Sequence, residues 1–290
     1  MASRILSMLP RKQKNKLRRS YSVWKRRWVS TFFSFDADGL LEGIRSVGVR
    51  PGDSVMLHSA FSSFGGFTGS LGDAIDVFQS AVEPDGNLLM VSLPYMTSSR
   101  EYLEKLRRFD VRKTPSRMGL LSEFFRRRDG VRRSSHPTHP ILAHGSRAEW
   151  IVEGHESALY PCGPGTPFAK LVDLDGKALF FDAPFATFTF FHYLEHRIQD
   201  HLHFPLYHEK VFEVPVIDWE GREGLIKTHV FSDEVIRRRR FPVLEAELKR
   251  RGLIARKRVG NSILLAVDLK MVVECVDDMA RKGLYFYDMS

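Results

Sequence analysis

His192 and Glu195 stand three apart in Phe190-Phe191-His192-Tyr193-Leu194-Glu195-His196, inside a stretch from 185 to 204 that holds neither Gly nor Pro. The stretch predicts a helix, on which the two side chains share a face. A carboxylate beside an imidazole orients the ring and supports its positive form, the arrangement of a general base. The same pair also suits the polar edge of an ordinary amphipathic helix, so spacing by itself assigns no chemistry. His192 and His196 have the i, i+4 spacing of metal ligands, with His201 and His203 beyond them. The chain lacks a His-Glu-x-x-His sequence, however, and the metal-free reading is preferred. Cys162, between Pro161 and Gly163, is an alternative nucleophile in a loop. We read it as a space-filling thiol.

The elements that must position these groups alternate as in an α/β domain. Asp36 is placed to cap a helix running to about Val47. Residues 54–57 read as a buried strand that leads into the polar, Gly-rich stretch from His58 to Gly69, after which Ser70 caps a helix over 71–82. A loop of this kind brings backbone amides close to a ligand, although it carries neither a Walker pattern nor a dinucleotide fingerprint. Residues 87–93 form the next expected strand, followed by a long connection and a helix from Thr114 or Ser116 to Phe125. Helices are predicted over 148–156 and 167–173, the second capped by Thr166, and a buried strand over 177–181 delivers the chain to the His192 helix. Residues 210–217 and 225–231 pair as a small β excursion near 210–232. The chain closes with a helix over 242–250, a strand over 262–266, and a helix over 269–282 whose Met271, Val272, Cys275, Val276 and Met279 face the core. Arg237, Arg238, Arg239 and Arg240 cannot all point one way and read as a solvated face.

With 290 residues, 43% of them hydrophobic, the chain can bury a full core. Two cysteines far apart make neither a disulfide framework nor a metal-type pair, which suits a reducing cytoplasm. The net charge of +9 is concentrated: residues 1 to 35 hold ten Lys or Arg and no Asp or Glu, so the remainder is near neutral. This divides the chain into a basic tail, 1–34, poorly ordered or lying on a membrane surface, and an α/β domain, 35–290. The apolar Ile5, Leu6, Met8 and Leu9 are too few for a secretory or membrane-spanning segment. Trp24 and Trp28 bracket Lys25-Arg26-Arg27, a composition suited to peripheral contact with an anionic membrane at its inner face. Nucleic acid is a weaker match, and an inert solvated tail is the plain alternative.

His58-Ser59-Ala60-Phe61-Ser62-Ser63-Phe64-Gly65-Gly66 is followed by Thr114-Pro115-Ser116 with Gly119, Arg133-Ser134-Ser135-His136-Pro137, Thr166-Pro167-Phe168-Ala169-Lys170-Leu171, and the run from Thr189 to Glu195. In that order these motifs resemble the aminoglycoside 3-N-acetyltransferase family, from about Leu41 to about Ala280. The resemblance implies a single three-layer α/β/α domain with a central mixed sheet. It implies acetyl transfer from acetyl-CoA to an amine without a metal, with His192 as base and Glu195 as its partner. It also places Ser59, Ser62, Thr114, Ser116, His136 and Thr166 around the coenzyme. The chain departs from the family at Pro140, where a Ser is usual; proline offers the coenzyme neither a hydroxyl nor an N–H. The acceptor implied is an amino sugar or aminoglycoside-like amine. A near-neutral core and a basic tail suit a polycationic drug less than an anionic or lipid-linked amino sugar of surface-polysaccharide assembly. The alternative from another class is a non-catalytic binding or scaffold protein on the same fold, with a tail that engages membrane or nucleic acid.

Overall fold

Continuous runs of Val, Leu, Met and Phe form the central strands of the computed structural model, which describes residues 27–61 and 65–289 together with 13, 23 and 24. The first half of the chain forms α1 (Ala37–Ser46), β1 (Ser54–Ser59), α2 (Leu71–Ser80), β2 (Asn87–Val91), α3 (Ser99–Lys105), β3 (Phe109–Asp110), α4 (Leu120–Phe125), β4 (Arg132–Arg133) and β5 (Ile141–Gly145). The second half forms α5 (Ala148–Val152), α6 (Pro167–Asp173), β6 (Lys177–Phe181), α7 (Phe191–Arg197), β7 (Phe212–Ile217), β8 (Glu223–Thr228), α8 (Asp233–Arg238), α9 (Phe241–Arg250), β9 (Ala255–Val259), β10 (Ser262–Asp268) and α10 (Leu269–Arg281). The main sheet has the order β4-β5-β2-β1-β6-β10-β9. β1 runs parallel to β2 and β6, while β5 and β10 are antiparallel to their inner neighbours, so the sheet is mixed.

Both faces of this sheet are covered, which is why its central strands read as unbroken apolar runs. Along β1, Met56 enters one core with Leu89 and Phe180, whereas Val55 and Leu57 enter the other with Leu88 and Leu179. This is the three-layer α/β/α arrangement expected. The β excursion is also present, and it is more than a hairpin: β7 and β8 pair antiparallel, and β3 joins β7 in parallel from a hundred residues upstream as a third strand. No helix among the described residues is long and apolar enough to cross a membrane.

Local signals placed several helix starts. Asp36 Oδ1 accepts from Gly39 N at 3.0 Å, and Ser70 with Asp73 forms a reciprocal capping box at α2. Elsewhere packing overrode pattern. The helix expected over 185–204 is cut to α7, with single 3-10 turns at Phe185–Thr187 and Gln199–His201. Thr187 and Thr189 turn their hydroxyls onto nearby backbone carbonyls, and Phe185, Phe188, Phe190 and Phe191 are all buried, which one regular helix face cannot do. α4 begins at Leu120 rather than near Ser116, because Gly119 adopts φ 105° and breaks the path. Thr166 precedes α6 as expected, but its hydroxyl donates to Gly163 O at 2.6 Å instead of capping the helix. α3, α8, β3, β4, β5 and β9 were not expected. Met271, expected in the core, is 42% exposed, and Leu269, Val273 and Ala280 complete the buried face of α10.

Candidate active site

The parallel strands β1, β2 and β6 point their carboxyl ends toward one edge of the sheet, the usual place for ligands in α/β folds. At the end of β6 the backbone of Asp182 turns left-handed, with φ 54°. Its carboxylate accepts from Ser262 Oγ at 2.7 Å and Ile263 N at 2.8 Å, and these bonds hold the unusual conformation. The turn redirects the chain through Ala183 to α7, which carries His192 and Glu195.

Glu195 is fully buried and accepts four hydrogen bonds. His192 Nδ1 lies 2.7 Å from Oε2, Arg239 donates from Nε to Oε1 at 2.6 Å and from Nη2 to Oε2 at 2.8 Å, and the Tyr287 hydroxyl donates to Oε1 at 2.6 Å. The two-pronged guanidinium contact is the strong form of this pair. Burial alone would raise the Glu195 carboxyl, but the Arg239 charge and the bonds from His192 and Arg239 overcome it and hold the group below its ordinary range. For Arg239, burial would lower the guanidinium, and Glu195 more than restores it. Arg239 thus corrects the expectation of a solvated arginine run: its side chain is 12% exposed, and its charge lies over the Phe231 ring. Its three neighbours in the run are more exposed.

An ionised carboxylate can only accept, so His192 Nδ1 carries the proton and Nε2 bears the lone pair. The ring is 17% exposed and lies against Phe231, with His139 edge-on at 5.2 Å. Burial first, then the Arg239 charge, lowers the His192 pKa, partly offset by Glu195. At neutral pH the ring is therefore an uncharged base.

A cavity of about 130 Å³ lies at the strand ends, lined by Leu57, His58 and Ser59 from β1 and Ala60 just beyond it, Met118 and Ser122 from the α4 entry, and Thr187 and Thr189 from the approach to α7, among others. Two buried polar atoms there, His58 Nε2 and Ser59 Oγ, have no hydrogen-bond partner among the described residues. His58 stacks on Phe180, and burial brings its pKa down to about 3, so the ring is neutral. The cavity stands one turn from His192, whose backbone N–H donates to Thr189 O at 3.0 Å.

The other site residues expected from the sequence fall in several places. Ser116 is one bond behind the cavity, its hydroxyl 2.9 Å from that of Ser122. Thr114 Oγ1 accepts from Asp110 N at 3.0 Å and closes a turn away from the cavity. His136 is buried, with Nε2 3.1 Å from Thr228 Oγ1 and Nδ1 facing Thr138 and His139 N. Thr166 lies inside the core. Ser62 is outside the described residues. Arg126 and Arg127 pair with Glu123, Arg128 with Asp76 and Arg132 with Glu149, so these basic residues are held by the chain itself. Pro140 fills its place with a buried ring, and its carbonyl accepts from Ser92 N. Cys162 is buried, which pushes its thiol pKa far up. His196 shares a hydrogen bond with Tyr207 at 2.9 Å, and among the described residues no three His, Cys, Asp or Glu are placed to hold a metal.

Sequence reasoning missed Arg239, Tyr287 and His58. His58 stood in a quoted motif without a role, and a buried strand end was its only signal. Nothing distinguishes Arg239 from its neighbours in sequence.

Against known proteins, residues 56–281 match the aminoglycoside 3-N-acetyltransferase family. Aminoglycoside N(3)-acetyltransferase III of a Salmonella species is 33% identical over 168 residues, 54% of this chain and 58% of that protein. The chain thus matches little more than half the length of this curated relative. Among solved structures, AAC-IIIb in a binary complex with CoASH superposes with a TM-score of 0.71 at 24% identity, over 86% of this chain and 97% of that one. AAC-VIa bound to sisomicin gives 0.71 at 23% identity, over 87% and 99%. At these identities the structural likeness is one of fold.

Proposed function

The chain belongs to the aminoglycoside 3-N-acetyltransferase family, and from that premise we propose that it transfers an acetyl group from acetyl-CoA to an amine of an amino sugar or aminoglycoside-like acceptor. Acetyl-CoA supplies the acyl group as a thioester. The residues of this chain place the amine and move its proton: His192 Nε2 accepts the proton as the amine attacks the thioester carbonyl and the C–S bond breaks, and the imidazolium, stabilised by Glu195, then gives that proton to the departing thiolate of coenzyme A. A positioned base of this kind contributes about 10²–10⁴-fold. One observation carries the reading. Arg239 and Tyr287 fix the Glu195 carboxylate, whose bond to His192 uses Nδ1 and leaves Nε2 as the basic end of a partly accessible ring.

The cavity supports a place for the thioester end of the coenzyme, since two buried atoms without a partner among the described residues offer hydrogen bonds that its amides and carbonyl can complete. On this reading Ser59 touches the coenzyme and Ser116 acts through Ser122. Thr114, His136 and Thr166 shape the surrounding loops, and Ser62 belongs to the coenzyme set by its motif. Transfer is direct, because a thiol as buried as Cys162 supplies little thiolate.

For the acceptor, we favour an anionic or lipid-linked amino sugar of surface-polysaccharide assembly over a polycationic drug, on the charge distribution. Residues 35–290 then form the catalytic domain, and residues 1–34 a basic appendage that touches an anionic membrane from the cytoplasmic side. Two free buried thiols suit that compartment. The test is to incubate the protein with labelled acetyl-CoA and a panel of aminoglycosides, sugar nucleotides and lipid-linked sugars. N-acetylation of an anionic or lipid-linked sugar is expected. Fast acetylation of drugs alone would remove the acceptor assignment, and no N-acetyl product at all would leave a binding protein.

A further inference from the structure

Residues 27–32 are helical, and so are 23 and 24. Within this stretch the apolar side chains point two ways. Val29 is 3% exposed and packs inward, whereas Trp24, Trp28 and Phe32 are 59%, 47% and 62% exposed. They stand at i, i+4 and i+8, the spacing of one helix stripe, and their rings contact in sequence, with centroids 5.7 Å apart for Trp24 and Trp28 and 4.5 Å for Trp28 and Phe32. The flanking hydroxyls of Ser30 and Thr31 both donate back to Arg27 O at 2.9 Å, which spends their polarity on the helix itself. A solvent face of an ordinary surface helix is polar; this one is an aromatic ridge.

The ridge is fastened to the rim of the candidate active site. Phe35 N donates to Gly66 O at 3.0 Å and Thr68 N to Phe35 O at 2.9 Å, so the end of the helix is stitched to the loop that follows β1. Gly66 has φ 100°, and a Cβ there would lie 2.1 Å from Phe33 O, so the close approach requires glycine. β1 ends in His58 and Ser59, which line the cavity.

We propose that the Trp24, Trp28 and Phe32 ridge is an interfacial anchor that inserts into an anionic lipid surface and so holds the rim of the active site against the bilayer. The inference rests on the peripheral-membrane reading above and assigns it to specific side chains. Charge complementarity selects the occupant: ten Lys or Arg and no acidic residue lie within residues 1 to 35, three of them in Lys25-Arg26-Arg27 between the two tryptophans. Tryptophan and phenylalanine settle at the headgroup level while cations beside them meet anionic lipid. A nucleic acid would use the cations, but rings already laid against one another offer fewer free faces for bases to stack on.

The experiment compares the full chain with a full-length Trp24→Ser, Trp28→Ser, Phe32→Ser variant that keeps every cation. Sedimentation is measured with phosphatidylcholine vesicles, with and without a quarter phosphatidylglycerol, and quenching of tryptophan emission is measured with brominated lipid. We expect the full chain to bind the anionic vesicles and to be quenched, and the variant to bind about tenfold or more weakly with its melting temperature unchanged. Absence of wild-type binding would overturn the membrane reading itself. Equal binding by both proteins would leave that reading standing and overturn the ridge. A wild-type dimer that the variant breaks without lipid, or single-stranded RNA that displaces wild type from vesicles, would likewise overturn it, in favour of a second copy or a nucleic acid.

Discussion

Glu195 and His155 each sit at the centre of a buried polar cluster, and the two clusters use histidine in opposite ways. His155 has both ring nitrogens occupied: Nδ1 is 2.8 Å from Ser134 Oγ, Nε2 is 2.9 Å from Pro161 O, and the ring stacks on His136. Its partners are neutral, and burial brings its pKa down to about 3. His192 has one nitrogen held by a carboxylate, the other uncommitted among the described residues, and a buried Arg239–Glu195 pair behind it. A buried histidine becomes a base when one end is fixed and the other is left over. When both ends are satisfied it is a strut.

The largest expected effect breaks the charged cluster. Arg239→Ala leaves the Glu195 carboxylate buried without its cation and should destabilise the fold by about 3–5 kcal/mol, read as a lower urea midpoint. Arg239→Lys should recover part of this, since a point charge replaces the fork. The pH profile carries the sign. On the proposed mechanism His192 is a neutral base, and its pKa is lowered, so the acid limb of kcat/KM in the wild type should lie below 6.5. Removing the Arg239 charge raises that pKa, and the limb should move to higher pH in whatever fraction stays folded; a limb that does not move would separate Arg239 from the base.

Next in size, His192→Ala should lower kcat by about 100-fold or more, about 2.7 kcal/mol of barrier, while acetyl-CoA binding measured by calorimetry persists. Retained turnover would transfer the role of base elsewhere.

The buried neutral histidines should be visible in acid stability. The folded-state pKa values of His58 and His155 lie near 3, below the ordinary 6.5. Between those limits the unfolded chain binds protons that the folded one does not. Their contribution is therefore complete above about 6.5 and is lost as pH falls, at up to about 1.4 kcal/mol per pH unit for each ring. His155→Gln should flatten the fall in urea midpoint with acid and leave the acid limb of the rate in place.

The smallest effect concerns Cys162. Cys162→Ser should cost about 1 kcal/mol or slightly more for a buried hydroxyl, leave kcat unchanged, and show no acetylated enzyme by mass spectrometry in the wild type without acceptor. A stable acetyl-cysteine would replace direct transfer by a two-step route.

Much of the frame was legible because it is local. Asp36 and Ser70 mark helix starts through bonds only three residues long, and the strands around β1 are recognisable from apolar runs. Less legible were short elements whose stability comes from partners. β3 is two residues long and exists because β7 pairs with it from over a hundred residues away, and the helix around His192 was shortened by four phenylalanines that had to be buried on more than one side.

What the sequence determined by itself is the order of an α/β domain, the family motifs, and a His192–Glu195 pair on one helix face, because three-residue spacing fixes a face wherever the helix forms. The tertiary structure alone decided how that pair is charged and oriented. Glu195 is charged and oriented by Arg239, 44 residues away, and Tyr287, 92 residues away. A run of four arginines has no periodicity to say which of them turns inward. Only the pairing of the arginine run with the closing segment selects it, through backbone bonds from Arg240 N to Phe286 O and Asp288 N to Arg238 O. Burying a charge is favourable only where an opposite charge already waits, and that is a property of elements brought together by folding rather than of any one stretch.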